Sequence, residues 1–148
     1  MPTADRQAQA TWEGNLFEGH GSVSLSSSGA VADLPVSWVA RTEQPGGKTS
    51  PEELIAAAQA ACYAMAFSNT LNKDGKPAER LTVNATCSFT FGDGPARVSS
   101  MRIDVTGRVP GLDAAAFEDA AKRAEQGCPV ANAIRGNVPI EVSAHLES

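Results

Sequence analysis

Residues 50 to 75 constrain this chain most. Ser50, Pro51 and Glu53 supply an N-cap hydroxyl, a proline at the first helical position and a capping-box carboxylate. Lys73-Asp74-Gly75 closes the segment, so a helix is predicted from Pro51 to about Asn72. Along it Leu54, Ala58, Cys62 and Ala66 form one row, with Ile55, Ala61 and Met65 beside them. The run Ala56-Ala57-Ala58-Gln59-Ala60-Ala61 carries so little bulk that another backbone or a substrate can approach closely. Such a helix is expected at the centre of the fold, with other elements crowded around it.

The remaining pattern is short strands and two shorter helices. Thr11 to Phe17 and Gly21 to Ser27 read as strands around the Glu18-Gly19-His20-Gly21 turn, and Val36 to Thr42 reads as a third. Leu81, Val83, Ala85, Cys87, Phe89 and Phe91 alternate with polar residues, the period of a half-buried strand. Met101, Ile103 and Val105 continue the alternation after Gly92-Asp93-Gly94-Pro95, which makes a hairpin. Asp113 caps a helix that ends at Gly127, with Leu112 and Phe117 spaced as a hydrophobic staple. Cys128-Pro129 opens a third helix that stops at Gly136, and Ile140, Val142, Ala144 and Leu146 form a last strand. Strands separated by helices without a regular βαβ repeat indicate a single α+β domain over residues 1 to 148.

Charge and motifs remove several function classes. The balance of 12 Lys+Arg against 17 Asp+Glu is −5, with no basic cluster, so nucleic acid is not an expected partner. No stretch reads as the ~20 apolar residues that span a bilayer, and Met1 to Gln9 lacks the apolar segment of a secretory signal, so a cytoplasmic protein with no membrane partner is expected. His20 and His145 are not spaced with other ligands in a metal pattern, and no metal or cofactor is implied. Nor is there a Gly-x-Ser-x-Gly, P-loop or dinucleotide fingerprint.

The 3 cysteines remain. A reducing compartment disfavours permanent bridges, so catalysis, redox chemistry or simple burial must explain them. Cys87 alternates in phase with Val83 and Phe89 and reads as a small hydrophobe. Cys62 falls on a core pattern that its small neighbours resist. Cys128 is the stronger candidate from the residues alone: it precedes Pro129 at a helix start, where free N–H groups favour a thiolate, and Gly127 leaves room for access. Whether Cys62 and Cys128 meet depends on the fold and not on their spacing. Glu53 has a capping task and Glu52 has none, which frees Glu52 to orient a cation. Arg41, at the end of a strand before the same helix, is the nearest in sequence, with a solvated strand end as its alternative.

Thr49-Ser50-Pro51-Glu52-Glu53-Leu54-Ile55-Ala56-Ala57-Ala58-Gln59-Ala60-Ala61-Cys62-Tyr63-Ala64-Met65-Ala66, taken with Gly127-Cys128-Pro129-Val130, resembles the OsmC and organic hydroperoxide resistance protein family, nearer its OsmC branch. The similarity extends to Trp12-Glu13-Gly14 and Val109-Pro110-Gly111-Leu112-Asp113. It implies antiparallel sheets packed on a central helix and an intertwined homodimer. It also implies a thiol peroxidase reducing organic hydroperoxides, and hydrogen peroxide less efficiently. By position Cys62 matches the peroxidatic cysteine, Cys128 the resolving cysteine, and Arg41 with Glu52 the pair that activates the thiolate. A dithiol reductant, lipoyl-type donors among them, would reopen the Cys62–Cys128 disulfide. The alternative is a noncatalytic thiol redox sensor or binding protein using the same bridge. Gln59 departs from the family pattern, since the OsmC branch often carries His there.

Overall fold

Glycines set the turns of the N-terminal segment. The computed structural model describes residues 1–147, and the chain divides into two compact units, Met1–Pro51 and the residues from Glu52 onward. In the first unit β1 (Gln9–Glu13), β2 (His20–Ser24) and β3 (Leu34–Val36) form an antiparallel sheet in that order. Trp12 lies opposite Gly21, where a Cβ would stand 2.7 Å from the indole ring, so the ring needs a glycine there. The indole Nε1 donates to the carbonyl oxygens of Gly14 and Asn15 at 3.1 and 3.3 Å, and Gly14 turns the chain at φ +90°. Both strands consequently sit nearer the N-terminus than the alternation suggested.

Val36 to Thr42 is not a strand. Only Val36 pairs in the sheet, and the Ser37 hydroxyl accepts from the Ala40 N–H at 3.1 Å, capping a one-turn helix α1 (Trp38–Thr42). A satisfied N-cap outweighs the β preference of Trp38 and Val39. Arg41 therefore stands in the last turn of a helix and not at a strand end. Thr49 returns to β3 through a parallel bridge to Val36, its N–H donating to the Pro35 carbonyl at 3.0 Å.

The second unit is built on α2 (Pro51–Lys73), β4 (Arg80–Thr90), β5 (Arg97–Arg108), α3 (Ala114–Gln126), α4 (Pro129–Ile134) and β6 (Ile140–Leu146). β5 is the central strand. It pairs antiparallel with β4 but parallel with β6, so this sheet is mixed where an antiparallel one was expected. The crossover through α3 and α4 returns the chain in the same direction, which only a connection of a dozen or more residues permits. Register stacks Cys87, Met101 and Ile140 in one row, then Ala85, Ile103 and Val142, then Val83, Val105 and Ala144. The β5 members are buried and the flanking residues half-buried.

Tyr63, Phe67 and Leu71 of α2 are fully buried in one cluster with that face of β5 and with Phe117, Ala120, Ala121 and Ala124 of α3. Phe117 lies directly over Gly107, where an added Cβ would stand 2.5 Å from the ring. Contrary to the sequence expectation, α2 is long and apolar enough, by length and composition, to cross a membrane. Its buried aromatic face gives it the part of a core helix. The staple partners Leu112 and Phe117 flank Asp113, whose carboxylate accepts from the Ala116 N–H at 2.8 Å, so the expected cap of α3 is in place.

Candidate active site

The fold decides what spacing could not. Cys62, three turns into α2, and Cys128, at the start of α4, lie with their sulfurs 3.3 Å apart, and both are free thiols. A disulfide needs about 2.05 Å, so little more than an ångström of movement would close the bridge. Cys128 is fully buried, whereas Cys62 is half-buried and presents the reachable sulfur of the pair.

Local hydrogen bonds fix this meeting point. The Cys128 N–H donates to the Glu125 carbonyl at 3.3 Å, and its own carbonyl accepts from the Asn132 N–H at 2.9 Å. Arg135 ties the two helix ends together: its guanidinium pairs with the buried Glu125 carboxylate, donates to the Glu125 carbonyl at 3.0 Å and reaches Asn132 Oδ1. Gln126 Nε2 donates to the other Glu125 oxygen at 2.8 Å. From α2, Tyr63 Oη donates to the Ala121 carbonyl at 2.7 Å, and Gln59 Nε2 donates to Cys128 Sγ at 3.3 Å. The Glu125–Arg135 clamp was not visible in the sequence, because its partners are ordinary charged residues on two short helices.

The helix start expected to serve Cys128 serves the other thiol. Cys128 makes no side-chain cap, while the Val130 backbone N–H hydrogen-bonds to Cys62 and favours its thiolate. Burial works against that contact, and the neighbouring Cys128 adds to the opposition, so the Cys62 thiol is pushed above its ordinary value. Cys87, on β4, is pushed up first by burial and then by the negative charge of Glu52. Glu52 is itself buried at the start of α2. Arg41 is half-buried in α1 of the first unit.

Residues 44–143 match the family model described as OsmC-like protein. This chain belongs to the OsmC-like family. It is 33% identical over 139 residues to peroxiredoxin OsmC of Escherichia coli (strain K12), covering 94% of this chain and 96% of that one. It is 32% identical over 100 residues to an organic hydroperoxide resistance protein of Xanthomonas axonopodis pv. citri, covering 66% of this chain and 68% of the relative. Among solved structures, the organic hydroperoxide resistance protein OsmC of Legionella pneumophila superposes with a TM-score of 0.67 at 26% identity, over 97% of this chain and 99% of its own. The OsmC-like match contains Glu52, Cys62 and Cys128, while Arg41 lies just before its first residue.

Proposed function

We propose that this chain is a cysteine-based thiol peroxidase that reduces organic hydroperoxides, and hydrogen peroxide less efficiently, through a Cys62 sulfenic acid and a Cys62–Cys128 disulfide. The observation that carries the reading is the 3.3 Å separation of one reachable and one fully buried sulfur. The Cys62 thiolate attacks one peroxide oxygen, the O–O bond breaks, and the alcohol leaves after taking a proton. Cys128 then attacks the sulfenic sulfur, and the S–O bond breaks with loss of water. A dithiol donor returns both sulfurs to thiols and is itself oxidised to a disulfide. The names of the relatives, a peroxiredoxin and a hydroperoxide resistance protein, support this sequence.

Burial holds the Cys62 thiol up, so one backbone N–H needs the help of a cation. Arg41 takes that role in this reading, with Glu52 orienting its guanidinium; their places in the family motif support the assignment. Ala57, Ala58, Ala61 and Met65 leave an apolar face open on α2, which suits hydrocarbon-bearing peroxides. That uncovered face also supports a homodimer.

Steady-state consumption of tert-butyl hydroperoxide with dihydrolipoamide as donor tests the proposal. Many turnovers per chain are expected. Oxidation that stops after one equivalent, with the donor present, would instead indicate a redox sensor.

A further inference from the structure

Gln59 is fully buried, yet its amide is only half satisfied. Nε2 donates to Cys128 Sγ at 3.3 Å, while Oε1 meets no hydrogen-bond partner among the described residues. A buried carbonyl left without a donor destabilises a fold, and an apolar side chain of similar size would pack there at less cost. The local fold therefore gives no reason for an amide at this position. Among the described residues its one hydrogen-bond partner is the sulfur of Cys128, which in turn donates to Cys62 Sγ at 3.3 Å. A chain of donors thus runs from Gln59 through Cys128 to Cys62.

The geometry points to Gln59 as a positioning residue for the resolving step: its Nε2–H holds the Cys128 sulfur against Cys62 and steadies the negative charge that gathers there whenever the Cys62–Cys128 bond forms or breaks. This deepens the peroxidase reading and rests on it for the closing direction. On closing, Cys128 gives up its proton, its sulfur bonds to the Cys62 sulfur, and the sulfenic oxygen departs as water. On opening, one thiolate of a dithiol attacks Cys62, the sulfur that can be reached, and the S–S bond breaks. Cys128 leaves as a thiolate and takes up a proton, and the donor's second thiol then displaces Cys62 to form the donor's disulfide. Cys128 is sealed from water, so this amide N–H stands where solvent would otherwise stabilise the charge.

Two rates and a melting temperature test the role. In the first arm the bridge is made with diamide and opened with dithiothreitol, which needs no peroxide chemistry. Gln59→Met should open about tenfold more slowly, and Gln59→His, with a ring N–H, should recover much of that rate. In the second arm prereduced protein meets tert-butyl hydroperoxide. Closure in Gln59→Met should slow more than sulfenic acid formation, so the sulfenic acid lives longer and excess peroxide drives more Cys62 to sulfinic acid. The Met variant should melt no lower than wild type. Wild-type opening in Gln59→Met would overturn the role, as would Met and His variants equally slow, or a Met variant both slow and less stable. Slow opening together with peroxide-inert wild-type protein would uphold Gln59 and sink the peroxidase reading.

Discussion

At the scale of residues, the proposed mechanism divides one reaction between Cys62 and Cys128 by what surrounds them. The reachable sulfur suits the peroxide step, and the sealed one suits the step that follows. Cys62→Ser should abolish peroxide consumption, while Cys87→Ser should leave turnover largely intact; a coupled assay of both variants checks this. If Arg41 activates Cys62 as proposed, Arg41→Ala should slow Cys62 oxidation roughly tenfold at about pH 7, because a thiol raised by burial is mostly protonated there without a cation's help. Stopped-flow traces across rising pH should show partial recovery, left incomplete in the proposed mechanism, where the guanidinium also steadies the departing oxygen. A flat wild-type profile in that variant would remove Arg41 from the mechanism. Burial raises the thiols of Cys62 and Cys87, so the folded chain keeps protons that the unfolded chain loses as pH climbs past the ordinary thiol value of about 8.5. Their contribution to stability is thus present below that value and fades above it. Denaturant midpoints of reduced protein should fall with alkaline pH, less steeply in Cys87→Ser.

At the scale of elements, Phe117 of α3 packs closely over Gly107 of β5. Gly107→Ala should cost about 1–3 kcal/mol, since the ring is fully buried and has nowhere to go. Urea unfolding checks the size, and trimming the ring in the pair Gly107→Ala with Phe117→Leu should return part of the loss. Local chemistry made much of this level readable. Pro51 opens α2, Asp113 caps α3 and Pro129 opens α4 because their signals act within a few residues. Ser37 is the exception, for Trp38 and Val39 have the pattern of strand residues while the hydroxyl one position earlier caps a helix. The parallel pairing of β5 with β6 had no local signal, because alternation looks the same in either direction. The same limit hid the site. Pro129 and Cys128 correctly suggested free N–H groups, but that the Val130 N–H reaches Cys62 depends on how α4 meets α2.

At the scale of the whole molecule, each unit leaves large apolar side chains in the open, Phe17 at 68% in the first and Met65 at 69% in the second. A homodimer would cover such surface, so light scattering should give twice the chain mass at micromolar concentration, and dilution should lower the melting temperature. In the proposed mechanism one peroxide molecule converts the Cys62 and Cys128 thiols of one chain into a disulfide and leaves Cys87 alone. Prereduced protein treated with one equivalent of tert-butyl hydroperoxide, then alkylated and mapped without reduction, measures this directly. The expected result is loss of two of the three free thiols, a single Cys62–Cys128 linked peptide pair and an alkylated Cys87. Three alkylated cysteines, or a bridge that includes Cys87, would contradict it.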